Sequence, residues 1–314
     1  MKRRNDIVLY AIIGTFSALT LLPFLFVINN SFRTNTEIFH SFFGTPDAFK
    51  EIAAVAGPAL RDVQETLAVV SDEGETMQLT PREAAAYHWG TATKGYRLGW
   101  EILRRFMLNT LFVCGITAIG VVILGSISAY VLSRYRFFGS RFVFYFIIST
   151  LMFPGVLTLI PSFLVVKKLG LLDTYWVLIL PYIAGGQVFA TFVFKSFFDG
   201  LPEDLFESAR IDGANHLAMY WHIVLPLSKP VISVVMIMSV LGTWNNFLWP
   251  FITISNTSLH VIASGLFVMA KSTYGQNLST LFAAYVVASI PLLILFAYAT
   301  KPFIQGVTSG AFKA

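Results

Sequence analysis

Charge is what this sequence has least of. Asp, Glu, Lys and Arg make up 12% of its 314 residues, against 56% hydrophobic residues. A soluble domain carries about 25% charged residues. The shortage is concentrated. Six runs, at residues 7–28, 106–132, 142–166, 175–194, 231–252 and 280–300, contain no Asp, Glu, Lys or Arg. Each is close to the ~20 residues a helix needs to cross a hydrocarbon core ~30 Å thick. Backbone polar groups in hydrocarbon must be paired within the segment, so the runs predict helices and exclude an ordinary soluble domain. Cysteine is nearly absent too. Cys114 stands alone inside the second run, which excludes an intrachain disulfide and leaves the redox compartment undefined.

Other absences narrow the energetics. The chain has no G-x-x-x-x-G-K-[ST] phosphate loop. Its nearest Gly-rich stretch, Gly306 to Lys313, has the wrong spacing, so the chain is expected to bind no ATP. None of the runs carries the carboxylates and histidines of a proton relay. Neither an internal repeat nor a low-complexity segment is visible. A chain of this kind that moves a solute must draw its energy from a partner. No metal and no cofactor is expected, and no covalent chemistry.

The positive residues define sidedness. The formal charge is +5, but Lys and Arg sit in short caps between the runs, a pattern that argues for no nucleic acid partner. With the N-terminus in the cytoplasm, the inner pieces hold Lys2, Arg3, Arg4, Arg134, Arg136, Arg141, Lys195, Arg210, Lys229, Lys301 and Lys313. The short outer loops hold only Lys167, Lys168 and Lys271. That asymmetry predicts both termini inside; Arg104 and Arg105 belong to a long segment, which translocates largely regardless of charge. Met1-Lys2-Arg3-Arg4 before an apolar run resembles a signal peptide, but the run is too long and no small-residue cleavage site follows Ile28. An uncleaved first span is expected. The extracytoplasmic loop, residues 29–105, mixes acidic and basic residues. Asp62 to Val70 suggests a short amphipathic helix, and Thr80-Pro81-Arg82-Glu83 a helix start with Thr80 as cap. A loosely ordered loop and a small cap that touches a soluble partner both remain open for it.

The connection between the fourth and fifth runs, residues 201–226, differs from the rest. Pro202, Glu203 and Asp204 suit the first turn of a helix. Leu205, Ala209 and Asp212 recur at helical spacing. Gly213 then permits a left-handed turn, and a second amphipathic stretch runs through Tyr220, Trp221 and Ile223 to Leu225-Pro226. The pattern reads as two short helices hinged at a glycine. Periodicity alone fits either a docking element or an interfacial helix on lipid headgroups.

Glu207-Ser208-Ala209-x-x-x-Gly213, nine residues, then Ile223-x-Leu225-Pro226 resembles the "EAA" motif of permease subunits in binding-protein-dependent ABC importers, with Ser208 in place of the usual second Ala. Arg210-Ile211-Asp212-Gly213-Ala214 and Trp244-Asn245-Asn246-Phe247-Leu248-Trp249-Pro250 are similar to carbohydrate-uptake permeases. Gly306-Val307-Thr308-Ser309-Gly310-Ala311-Phe312-Lys313 resembles the tail of the maltose-permease type. The resemblance covers about residues 98–314, the first span and residues 30–39; residues 46–86 look like an insertion. It implies an all-α, six-span permease of the type I ABC importer class, with a core at residues 106–314 and the coupling loop at 201–226. Its implied partners are an ABC ATPase dimer, a second non-identical permease, an extracytoplasmic solute-binding protein and the lipid bilayer of a bacterial-type inner membrane. By this resemblance Glu207, Ser208, Ala209, Asp212, Gly213, Ile223, Leu225 and Pro226 form the ATPase-coupling element, and Gly310 and Lys313 reach the ATPase dimer. Glu207 and Asp212 would face or brace the contact, Ala209 would allow close packing and Gly213 would set the turn. The bland alternative for Glu207 is an ion pair with Arg210 or Arg134.

Gln187, Trp244, Asn245 and Asn246 are candidates for the translocation path, as are Thr150 and Thr158 with the kink candidates Pro154 and Pro161 in the third span. Amides bond sugar hydroxyls and an indole stacks on a sugar ring. Helix–helix hydrogen bonds and interfacial anchoring explain the same residues blandly. The functional reading is ATP-driven uptake of a sugar, a polyol or a sugar-phosphate. Against it stand a secondary carrier working alone, disfavoured by the charge-free spans, and a membrane anchor or receptor, which leaves the Glu207 loop without a purpose.

Overall fold

The uncharged runs become helices, though not always one helix per run. The computed structural model describes residues 2–60, 66–70, 75–272 and 276–311. Helix α1 spans Lys2–Asn30, α4 Pro81–Arg134, α7 Trp176–Asp199 and α14 Leu278–Ala311. Among the described residues these four are long and apolar enough to cross a membrane, and the count reaches six if each of two bent pairs is one span.

The first bent pair occupies the run at residues 142–166, where Pro154 and Pro161 were expected to kink one span. Helix α5, Ser140–Ser149, continues in a 3-10 turn to Met152, and α6 covers Gly155–Lys168 at 102° to it. The cause is local. Pro154 disfavours helical backbone in the residue before it, and Phe153 is extended there (φ −79°, ψ 122°). Pro161 and Pro181 lie inside α6 and α7, whose helices run on past them. The run at residues 231–252 also divides. Helix α11, Lys229–Trp244, ends at Asn245-Asn246, and the short α12, Leu248–Thr253, follows.

The chain falls into two compact units, residues 1–104 with 266–290 and residues 105–265 with 291–314. In the first, α2 (Asn35–His40) starts on a capping box between Thr34 and Glu37. Helix α3 is Asp47–Leu60. The helix expected at residues 62–70 is absent over its described part. Leu67–Val70 forms strand β1, paired antiparallel with β2, Thr76–Leu79, in the register Leu67↔Leu79. The fold is therefore helical with one small hairpin rather than purely helical. Val69 and Val70 are β-branched and Val69 points inward, packing with Val55 and Ala84. Thr80 caps α4 as expected; Glu83 accepts from both its N–H and its hydroxyl, which holds the Glu83 carboxyl below its ordinary range. Among the apolar window of α1, nothing is buried.

The second unit holds the larger apolar core. One cluster joins Val121, Ala129 and Tyr130 of α4 to Phe194 and Phe198 of α7, Phe206, Tyr220 and Val224. Its α13 start, at Ile262 of Ile262–Lys271, hangs on α4 through Thr110 Oγ1, which accepts the Ile262 N–H at 2.7 Å.

Candidate functional site: the Glu207–Pro226 element

The loop read from its spacing folds as two helices around a glycine. Helix α8 is Asp204–Ile211. It ends in a Schellman arrangement: Ala214 N–H donates to Ala209 O at 2.9 Å and Gly213 N–H to Arg210 O at 3.0 Å. Gly213 takes φ +78°, in the left-handed region a Cβ resists. Asn215 then caps α9, His216–Met219, by accepting the Ala218 N–H at 2.8 Å. A π turn, Tyr220–Val224, leads into α10, Leu225–Leu227. The turn widens just before Pro226, which has no N–H to continue a normal helix.

The element has two faces. Asp204, Glu207, Ser208 and Ile211 lie one helical turn apart and are exposed, and Asp212 and Gly213 extend that surface. Ile211 is 86% exposed and Leu217 66%, so two apolar knobs stand beside the acids. Ala209, Ile223 and Leu225 face the other way, against the core around Phe206 and Tyr220. Ala209 therefore packs inward rather than on the open surface. Pro226 is exposed.

A column on α4 holds the inner face. Ser126, Tyr130 and Arg134 are spaced by four, so they share one side of the helix. The Ser126 hydroxyl lies 2.7 Å from that of Tyr220. Tyr130 Oη donates to His216 O at 3.2 Å. Arg134 Nη1 donates to Glu203 at 2.6 Å, its Nη2 to Phe198 O at 2.6 Å, and its guanidinium lies 3.8 Å over the Phe206 ring. Arg210 also reaches Glu203, at 2.9 Å. The ion pairs with Arg134 and Arg210 that were the bland alternative for Glu207 belong to Glu203, and Glu207 has no ion pair among the described residues. Glu203 was read only as a first-turn residue, and Tyr130 and Ser126 escaped the sequence reading although their signal was present: hydroxyl, phenol and guanidinium at i, i+4 and i+8 at the end of an apolar run.

The path candidates are not brought together. Asn246 lines a cavity of about 330 Å³ between α4, α7 and α11. Gln187, Trp244 and Asn245 do not line it. Trp244 is buried, and Asn245 bonds back to Leu241 O at 2.9 Å. Asn246 Oδ1 also accepts the Trp249 N–H at 3.2 Å, and Trp249 Nε1 donates to Val177 O at 2.8 Å. Thr150 and Thr158 close onto carbonyls of their own helices. Gly310 lies in the last turns of α14, and Lys313 lies outside the described residues.

Residues 121–308 match the family described as "Binding-protein-dependent transport system inner membrane component". The chain is 30% identical over 312 residues to the diacetylchitobiose uptake system permease protein NgcG of Streptomyces coelicolor, covering 99% of this chain and 90% of that one. It is 33% identical over 215 residues to the arabinooligosaccharides transport system permease protein AraQ of Bacillus subtilis, covering 68% and 75%. A polygalacturonan/rhamnogalacturonan transport system permease protein of Bacillus subtilis, YtcP, is 29% identical over 330 residues and 100% of both chains. The fold is similar to that of a chain in the crystal structure of a bacterial ABC transporter for the import of alginate, with TM-score 0.69, 19% identity, and 95% and 96% of the two chains covered. The match to the family, on a chain already marked by the Glu207–Pro226 spacing and by membrane-length helices, places this protein among the inner-membrane permease components of binding-protein-dependent ABC transport systems.

Proposed function

We propose that this chain is one of two non-identical permease subunits in an ATP-driven oligosaccharide importer, working with an ABC ATPase dimer and an extracytoplasmic solute-binding protein. The sugar class rests on the relatives, which carry diacetylchitobiose, arabinooligosaccharides or polygalacturonan/rhamnogalacturonan in their names. In this reading the chain sits in an inner membrane with both termini cytoplasmic, a core at residues 106–314, and the outer segment 29–105, with its insertion at 46–86, on the side of the binding protein. The chain hydrolyses no ATP. It converts movement of the ATPase into alternating access by shifting the balance between two arrangements of the spans. Tail residues Gly310 and Lys313 add a second ATPase contact.

One observation carries the coupling role: an acidic, partly apolar surface at Glu207, Ser208 and Ile211 stands open on a rigid turn whose opposite face is fastened to a long helix. Ser208 is small and lets a partner approach closely. Movement imposed on Glu207 and Asp212 passes through the turn at Gly213 to the Arg134 end of α4. Ile223, Leu225 and Pro226 seat the second helix.

The experiment is co-purification of the ATPase with the Glu207→Lys permease. Exposed ion pairs are worth about 0–1 kcal/mol, so reversal of the charge should lower recovery of the ATPase about fivefold while the permease still inserts. Unchanged recovery would remove Glu207 from the docking surface.

A further inference from the structure

On the flank of the Glu207–Pro226 element, α4, the π turn and the start of α11 enclose a groove of about 490 Å³. Val122, Ile123 and Ile127 line it from α4, and Leu225, Pro226 and Ile232 from the other side. The two hydroxyls in its walls are spent on each other, Ser126 Oγ lying 2.7 Å from Tyr220 Oη. The groove has a depth order. Lys229 is the first residue of α11, and no charged residue follows it before that helix ends at Trp244. Lys229 therefore marks the edge of an uncharged stretch, and Ile232 lies about 4.5 Å further in. On α4, Val122 lies about 7.5 Å further from the Arg134 end than Ile127. The groove thus runs from a charged edge into an apolar interior.

Two donors on its walls are unspent. Lys229 Nζ and Trp221 Nε1 form no hydrogen bond or ion pair among the described residues. The other basic side chains around the element behave differently: Arg134 and Arg210 share Glu203, and Lys195 pairs with Asp199 at 2.6 Å. Lys229 also stands against the local field. The positive end of a helix favours an anion and disfavours a cation, yet the first turn of α11 holds Lys229 and no acidic residue. An anion received by Lys229 and Trp221 would answer both the free donors and the helix end. No acidic side chain lines the groove, so that anion comes from outside the chain. Its remaining body must be apolar, because a sugar or a nucleotide laid along Val122 and Ile123 would leave its polar groups unpaired. Negative head and apolar body together describe an anionic phospholipid.

We propose that this groove holds one anionic phospholipid, its phosphate on Lys229 and Trp221 and an acyl chain along Val122, Ile123 and Ile232. Basic pockets between spans receive such headgroups, and tryptophan settles at headgroup level. Trp221 is 57% exposed, as that position requires. The lipid touches α4, the π turn and α11 at once. It braces the wide turn at Tyr220–Val224 on the side that the Ser126 and Tyr130 contacts do not cover.

The test uses the complete importer, with its partner permease and ATPase, stripped of lipid in detergent. Phosphatidylglycerol and phosphatidylcholine are titrated in separately, and bound lipid is read by native mass spectrometry. The first phosphatidylglycerol should bind more tightly than the first phosphatidylcholine. Lys229→Gln should weaken it about fivefold, the effect of one basic side chain at an anionic surface, and Lys229→Arg should restore it. Ile123→Trp fills the groove and leaves the charge in place. It should weaken the same binding at least about fivefold. Inorganic phosphate in excess should displace no lipid, since it gains nothing from the apolar walls. Equal binding of the two lipids, or unchanged binding in Lys229→Gln, overturns the site. Unchanged binding in Ile123→Trp, or displacement by inorganic phosphate, overturns the acyl chain's place in the groove. Loss of the partner permease from the Ile123→Trp complex overturns the proposal as well, since it gives the groove to that subunit. No transport is measured and detergent imposes no leaflet, so a failed lipid site leaves the importer reading standing.

Discussion

The two ends of the apolar part of α4 are fastened in different ways. At one end Ser126, Tyr130 and Arg134 meet the Glu207–Pro226 element and the turn before it through a hydroxyl pair, a tilted ring pair and an ion pair, and Tyr130 and Arg134 also donate to carbonyls. At the other, Arg105 and Asn109 hold backbone. Arg105 Nε donates to Ser258 O at 3.0 Å, and Asn109 Nδ2 donates to Ser258 O and His260 O at 2.9 Å. Tyr175 Oη donates in turn to Asn109 Oδ1 at 2.7 Å. The stretch from Asn109 to Ser126 rises about 25 Å, close to the thickness of a hydrocarbon core. Both ends satisfy carbonyls, and the Arg134 end adds an ion pair to Glu203. In the proposed coupling role the Arg134 end passes on movement and the Arg105 end holds shape.

Arg134→Ala should break that distinction most severely. It removes three hydrogen bonds and the cover over Phe206, and it leaves the carbonyls of Phe198 and Leu201 without this donor. Hydrogen bonds to charged groups contribute about 1.5–3 kcal/mol. In a reconstituted importer we expect ATP hydrolysis to continue while sugar uptake per ATP falls at least about tenfold. Equal loss of both activities would mean that Arg134 merely keeps the fold intact.

What the sequence displayed and what it hid follow the same physics. Gly213 was legible because a left-handed turn after a helix narrows the choice of residue, and its φ of +78° matches. The spans were legible because hydrocarbon tolerates so little. The break at Phe153-Pro154 was visible as a proline, but a proline marks the place of a bend and not its size, here 102°. The strand at Leu67–Val70 was hidden because a short apolar run fits either period, and the partner Thr76–Leu79 decides it. Glu203 was hidden for another reason. Three acids lie within five residues at positions 203, 204 and 207, and only the tertiary position of Arg134 selects one. The same holds for the path candidates: Trp244 and Asn246 look alike as polar-tipped residues, yet only Asn246 lines the cavity.

Asn109→Ala tests the other end, with a smaller effect of a different kind. It leaves the His260 carbonyl and the Tyr175 hydroxyl without this partner, while the Ser258 carbonyl keeps Arg105. Unsatisfied buried groups cost about 1–3 kcal/mol. The apparent melting temperature in detergent should drop by about 5 °C, with sugar uptake per ATP unchanged in the protein that remains folded. A decoupled but thermally normal variant would erase the contrast between the ends.

The smallest effect sharpens the contrast through pH. Asp173, between α6 and α7, has φ +56° and accepts the N–H groups of Ser255 at 2.5 Å and Asn256 at 2.9 Å. The Asn256 and Ser255 N–H groups, aided by nearby His260, hold its carboxyl below the usual carboxylate range, while burial pushes the His260 imidazole down. A carboxyl lowered on folding stabilises the native state above its unfolded value of about 3.9, and that contribution is lost as pH falls through the folded value. The site is almost wholly exposed, so the effect is modest. Asp173→Ala should melt a degree or two below the parent near pH 7, and the two curves should converge below about pH 4. A difference that persists in acid would transfer the stabilisation from the charge to the backbone turn at Asp173, where the residue that replaces it must still adopt a positive φ. Coupling should be indifferent to this titration, because the loop that Asp173 caps is the one Asn109 and Arg105 hold, not the one that meets Arg134.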